Sequence, residues 1–360
     1  MSDAPTQALP ATDVHQVSPR LYRLPLPLPS GGPAEVNTYV IVGDEGVTLV
    51  DCGWDSSRSY AALVSGLGAL GVSIGDIRQL IITHSHPDHV GLARRIVAES
   101  GAHWVMHRRD ALYLRASPEE ARRLTAETDR WLRRCGIPPA ELEATAMVGQ
   151  WLLSLGGDRQ PDVLLEDGER LPCGPYAFRV IATPGHADGL FCLYDERTGV
   201  LVSSDHVLER ISPQIGLHAE GQGDPLGGYL HSLARVAELP AHIVLPGHGA
   251  PFRDLAGRVR ALVRHHEERG VAILRALDGD RLSAYETAAR LTWRGSADGW
   301  QKLGAFDRRL ATTETAAHLE HMRAQGRLAR RPDGNVYRYH ATTSMTATPT
   351  NEQHILLQRY

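Results

Sequence analysis

The chain has 360 residues, 42% hydrophobic and 22% charged, a globular composition that excludes wholesale disorder and suits one large domain plus a smaller one. No apolar run approaches the roughly 18–20 residues that a membrane-spanning helix needs, and the Pro-rich start carries no basic-then-apolar secretory signal. On both grounds a cytoplasmic protein is expected, and a net charge of −4 argues neither for a general nucleic-acid binder nor for a membrane-surface one, so no membrane partner is expected.

Residues 1–34 form a Pro/Gly-rich opening with an edge strand expected at 17–24. Two β-type runs, 37–42 and 46–51, flank a Gly43-Asp44-Glu45 turn and read as a hairpin. A helix follows over 56–70, ending at Gly71. The apolar strand 79–83 leads into His84-Ser85-His86-Pro87-Asp88-His89, then a helix over 90–100 and a strand over 103–106. Residues 108–160 are helical by pattern and read as an insertion over one face of the sheet. β-type runs return at 176–183, 190–194, 199–203 and 242–245, with a helix over 225–238 before the last. Beyond Pro251, helices at 255–278, 284–292 and 312–325 precede a hairpin around Pro332-Asp333-Gly334, the order of a winged helix. The polar stretch 341–360 reads as a loose tail.

Four cysteines, Cys52, Cys135, Cys173 and Cys192, are widely spaced and read as buried thiols rather than a disulfide framework or a thiolate metal cluster. The 18 histidines carry the chemistry. Four segments share one pattern: a β-type run ends and a His or Asp stands beside Gly, Pro or a small residue. These are Thr83 before His84, Thr183-Pro184-Gly185 before His186, Ser203-Ser204 before Asp205, and Leu245-Pro246-Gly247 before His248. Strand ends hold ligands on loops that converge at one edge of a rigid scaffold, and an adjacent glycine permits a tight turn. His84 and His86 can face one cation, while Pro87 starts a helix that turns Asp88 and His89 toward a neighbouring position. Imidazole with carboxylate suits zinc, and also manganese or iron.

On these residues the chain resembles the metallo-β-lactamase superfamily, whose His-x-His-x-Asp-His hallmark is met by His84, His86, Asp88 and His89. Thr-Pro-Gly-His (His186), the Asp after a strand (Asp205) and Pro-Gly-His-Gly (His248) follow in order. Asn37-Thr38-Tyr39 and Asp51-Cys52-Gly53 look like that fold's opening, where Asp-Thr-Gly is commoner. The resemblance spans residues 17–250. It implies an α/β fold, an αββα sandwich, with a helical insertion at about 108–160, over residues 1–251. It also implies two divalent ions, zinc before iron or manganese. One ion would take His84, His86 and His186, and the other Asp88, His89 and His248, with Asp205 bridging. A hydroxide shared by two such ions attacks a carbonyl or phosphoryl centre, and Asp88 would orient it and pass a proton.

Asp51 is expected to support the ligand loops from behind or to be a plain turn residue. His206, His218 and Tyr229 are candidate substrate contacts, whereas His107, His265, His266, His318 and His321 read as packing or surface residues. Residues 252–340 resemble the winged-helix domain that follows the catalytic domain in one branch of the superfamily, a branch with both endoribonucleases and thioesterase-type hydrolases. From 252 to 340 there are 17 basic against 11 acidic residues, too scattered for a phosphate-binding stripe, so a packing or homodimerisation module is favoured over nucleic-acid binding. Asp205 sets the chain apart from true β-lactamases of this fold. His86 excludes the diiron oxygen-reducing branch, and the C-terminal segment differs from that of glyoxalase-type thioesterases. The reading is a dinuclear hydrolase, thioesterase-like, that cleaves a small-molecule thioester, ester or lactone. A Trp-bearing lid (Trp131, Trp151) over an acyl group would serve this reaction. The alternative is a metal-dependent endoribonuclease acting on single-stranded RNA.

Overall fold

The computed structural model describes residues 13–29, 33–115, 117–145, 159–217, 223–293 and 299–342. The chain packs as two compact units: residues 1–122, 149–213 and 228–263 in one, and 123–148, 214–227 and 264–360 in the other.

The first unit holds two sheets. Strands β1 (His15–Ser18), β2 (Leu21–Pro27), β3 (Glu35–Val42) and β4 (Val47–Val50) run antiparallel in order; β5 (Ile77–Ile82), β6 (His103–His107) and β7 (Val163–Leu165) continue the sheet in parallel. The strand expected at 17–24 is thus two strands, because Arg20 turns the chain with φ 58°. The second sheet contains β8 (Arg170–Cys173), β9 (Tyr176–Ala182), β10 (Phe191–Asp195) and β11 (Val200–Ser204) in antiparallel order, and β12 (Ile243–Pro246) parallel to β11. One buried cluster joins Tyr39, Ile41, Val50, Ile81 and Val105 of the first sheet to Phe178, Val180, Phe191, Leu193, Val202 and Leu245 of the second. That shared core makes the pair a sandwich.

Helices cover the outer faces. Against the first sheet lie α1 (Ser57–Ala69), α2 (Pro87–Val90), α3 (Ala93–Ser100) and α4 (Arg108–Arg115), burying Leu63, Leu67, Val90, Ile96 and Leu114 with Leu24, Leu80 and Trp104. Ser56 caps α1 by accepting the amide of Ser59. The helix expected over 90–100 divides at Gly91, where a side chain would strike the Asp55 amide and the carbonyls of Pro87 and Gly53. Beside the second sheet runs α7 (Pro225–Ala237), whose Ser232 hydroxyl and Arg235 guanidinium donate to the carbonyls of Pro184 and Ala182.

The segment 108–160 has two destinations, which corrects its reading as a single insertion over one sheet face. α4 packs on the first sheet, but most of α5 (Pro118–Arg134) and all of α6 (Pro139–Ala144) belong to the second unit. There Trp131, half-buried, donates its indole N–H to the Leu217 carbonyl and packs against that unit's core rather than forming a lid; Trp151 lies outside the described residues. The second unit adds the latter part of α8 (Leu255–Ala276), α9 (Ala284–Ala289), α10 (Ala305–Ala324) and the hairpin β13 (Leu328–Asp333) with β14 (Val336–Ala341). Helices followed by a hairpin is the order expected from the sequence. A capping box between Ser283 and Glu286 starts α9. Glu320 is buried but takes bonds from Tyr339, Arg330 and Arg323, which satisfies its charge. Among the described residues, no helix is long and apolar enough to cross a membrane.

Candidate metal centre

Five strand ends build one site within the first unit. β4 stops at Val50 and Asp51 follows with φ 59°; β5 delivers Thr83 and His84; β9 leads to His186. β11 ends at Ser204, with φ 45°, and presents Asp205; β12 ends at Pro246 and presents His248. Positive φ at two non-glycine residues beside the site is backbone strain of the kind found at functional centres. Pro87 opens α2 in the run from His86 to His89, as its fixed φ favours.

The ligand atoms of His84, His86 and His186 lie within 4.8 Å of one another, as do those of Asp88, His89 and His248, and those of His84, His89 and Asp205. Asp205 stands between the first two trios: Oδ1 is 3.6 Å from His89 Nε2, while Oδ2 is 3.5 Å from both His186 Nε2 and His248 Nε2. Asp88 Oδ2 is 3.2 Å from His248 Nε2 and 3.8 Å from His89 Nε2. All seven residues read from the sequence are therefore brought together. His89 Nε2 and Asp205 Oδ1 are buried and form no hydrogen bond. Buried polar atoms normally find a partner. Orphaned donor atoms among converging imidazoles and carboxylates fit divalent cations at this position.

Burial and the neighbouring imidazoles hold His84 well below its usual range, and burial pushes His86 down to about 3, so both are neutral bases, as ligation requires. Burial opposes charge on His248, yet Asp205 and Asp88 lift it to about 10. Asp205 stays well below the usual carboxylate range because His248 and His89 outweigh its burial.

A second set of residues aims the ligands. Asp51 sits behind His89 and also accepts the amide and hydroxyl of Thr83. The Thr83 hydroxyl reaches Ser204 Oγ at 2.7 Å. Asn37 Nδ2 donates to the carbonyls of Pro246 and Gly249, and the Tyr39 hydroxyl to that of Pro246, while His248 Nδ1 contacts the Glu35 carbonyl at 2.8 Å. A Cβ at Gly247 would collide with Asp205 Oδ1 and lie 3.0 Å from His89 Cε1, so a larger residue there must displace a site group.

Two of the candidate substrate contacts are corrected. His206 and Tyr229 each have 0% exposure; the Tyr229 hydroxyl donates to the His206 carbonyl and the rings meet edge to face, so both are packing residues with no surface to offer a substrate. His218 lies outside the described residues. His107, His266 and His318 are buried, and all four cysteines are buried and free. Sequence reasoning missed Asp110, a buried carboxylate whose bonds reach two ligand loops; no local motif marks it.

Comparison with known proteins agrees with this geometry. The model of the Metallo-beta-lactamase superfamily matches residues 31–248, more than half of the chain. The chain is 26% identical over 317 residues to the "Probable metallo-hydrolase YqjP" of Bacillus subtilis, covering 87% of this chain and 94% of that one. It is 24% identical over 270 residues to the "Lactamase-like protein adaB" of Aspergillus niger, covering 75% of this chain and 64% of that one. Among solved structures, a metallo-beta-lactamase family protein of Thermus thermophilus superposes with a TM-score of 0.77 at 32% identity, covering 91% of this chain and 100% of that one. A beta-lactamase domain protein of Burkholderia ambifaria superposes with a TM-score of 0.79 at 26% identity, covering 93% and 96%. With the sandwich, the strand-end histidines and the shared aspartate in place, the chain belongs to the metallo-beta-lactamase superfamily of metal-dependent hydrolases.

Proposed function

We propose that the chain is a dinuclear hydrolase of small-molecule thioesters, esters or lactones. The observation that carries this reading is Asp205, whose two oxygens address both trios at 3.5–3.6 Å, the position of a bridging ligand. One ion is assigned to His84, His86 and His186, the other to Asp88, His89 and His248; zinc suits this set, as do iron and manganese. When bound, such a pair supplies Lewis-acid activation of a water and of the substrate's carbonyl oxygen. The chain's own groups do the rest. Asp88 has the most accessible side chain among the site's carboxylates, 21% against 8% for Asp205 and 3% for Asp51. That accessibility supports reading Asp88 as the group that orients a nucleophilic water and hands its proton to the leaving group. The name metallo-hydrolase in the Bacillus subtilis relative supports hydrolysis in general.

A second reading, cleavage of single-stranded RNA, is favoured by a groove of about 380 Å³ in the second unit lined by Arg269, Arg275 and Arg290. Its charge is partly spent, since Arg290 pairs with Asp280. The second unit is read accordingly as a winged-helix packing or dimerisation module. The test is hydrolysis of a panel holding an acyl-CoA, an acyl-glutathione, a lactone, a phosphodiester and a short RNA, using metal-quantified protein and an Asp88→Asn control. Thioester or lactone turnover that disappears in the control is expected. RNA cleavage lost in the same control, with the esters untouched, would reverse the ranking.

A further inference from the structure

Asp110 is fully buried near the start of α4, yet no cationic side chain bonds it among the described residues. Its two oxygens go to two different loops. Oδ2 accepts the amide of Ser85 at 2.6 Å, between His84 and His86. Oδ1 accepts the amide of Gly189 at 2.7 Å, in the loop that carries His186. The fit allows little else: a Cβ on Gly189 would lie 2.5 Å from Asp110 Oδ1 and 2.6 Å from the Asp110 amide. A buried carboxylate is costly unless its bonds compensate, and here the compensation comes from main-chain donors on the two loops that supply the first trio.

We propose that Asp110 is a positioning residue that ties the His84–His86 loop to the His186 loop, so that these three imidazoles are assembled as one ligand set. The second trio does not use this tie. His89 leans on Asp51, and His248 is held through Asn37, Tyr39 and Glu35. Asp51 also serves the first trio through Thr83, beside His84, so Asp110 is set apart by joining the His84–His86 loop to the His186 loop. The role needs a carboxylate, because both partners are donors. An amide of the same shape has one acceptor oxygen and would turn its NH₂ group against the other N–H. Burial, which pushes Asp110 up to about 6, is opposed by these two main-chain bonds and by the Ser85 hydroxyl. The inference rests on the proposed two-metal reading.

The test is zinc affinity, by chelator competition, in two full-length backgrounds. In His248→Ala only the first trio is complete; in His186→Ala only the second is. Adding Asp110→Asn should weaken zinc binding 10- to 100-fold in the first background, the range for outer partners of metal ligands, and leave the second within about twofold. Equal weakening in both backgrounds, or none in either, overturns the proposal. Should Asp110→Asn not fold, Gly189→Ala, which disturbs one tie and keeps the carboxylate, must show the same selectivity or the proposal falls. If His248→Ala with Asp110 intact binds no zinc, the two-metal reading fails instead, and that result is visible before Asp110 is touched.

Discussion

Asp51 Oδ2 lies 2.7 Å from Nδ1 of His89, with both side chains buried, and its other oxygen accepts the Thr83 amide. One carboxylate thus fixes which nitrogen of His89 carries a proton and which, Nε2, faces Asp88 and Asp205. A carboxylate behind a ligating imidazole sets both tautomer and orientation.

Replacing Asp51 by Asn leaves one acceptor oxygen for three donors, the Thr83 amide, the Thr83 hydroxyl and the His89 ring. We expect Asp51→Asn to lower the affinity of one metal equivalent about 10- to 100-fold while circular dichroism is unchanged. Wild-type affinity in the variant would show that the contact does not aim His89.

Among the described residues, Asp205 is the carboxylate that approaches imidazoles of both trios. Its removal takes from His186, His89 and His248 a carboxylate common to all three and leaves His89 and His248 only Asp88 to share, a larger loss than that of a single ligand. Asp205→Asn should bind less than one metal equivalent, and its turnover should fall at least ~100-fold. Its melting temperature should match that of chelator-treated wild type, because binding to the folded state alone stabilises by mass action, about 2.7 kcal/mol at 100 times Kd. Elemental analysis showing two equivalents in the variant would remove Asp205 from the bridging position.

Much of this was legible in the sequence because it is local. The run from His84 to His89 encodes its geometry in six residues, and Gly or Pro beside His186 and His248 marks strand ends whatever the rest of the chain does. Features set by long-range packing were not legible. Asp110 acquires its role from loops 25 and 79 residues away. Strands β7 and β8, of three and four residues, are too short for alternation to show. The periodicity of α5 identifies its apolar face but not the Leu217, Leu277 and Tyr339 cluster with which Trp131 packs. His206 follows Asp205 directly and Tyr229 lies between Asp205 and His248, but their burial is set by the packing of α7 on the second sheet.

Gly247 offers a test of crowding at the site that changes no ligand. An alanine methyl would press on Asp205 Oδ1 and approach His89 Cε1 at 3.0 Å. The Asp205 side chain must then swing out of line with one trio. Metal content of Gly247→Ala should fall below two equivalents, with the unfolding midpoint of the metal-free protein close to wild type. Full metal content with normal turnover would mean that the loop yields instead.

Glu314, on α10 in the second unit, is half-buried, and among the described residues no hydrogen bond or ion pair engages its carboxylate. Burial lifts it to about 7, against the pull of Arg269. The sign follows from linkage: between about pH 4.5 and 7 the folded chain keeps a proton that the unfolded chain has released. The unfolded state binds fewer protons there, so this residue makes stability fall as pH rises through that window, and the loss is complete above it. Glu314→Gln fixes the neutral form. Urea unfolding should find variant and wild type alike near pH 5 and the variant more stable at pH 8, by about 1–2 kcal/mol after allowance for partial exposure. Titration of the metal centre is common to both proteins and cancels in the difference. An identical gap at both pH values would show that Glu314 ionises freely in the folded chain, leaving Gln to act only through its shape.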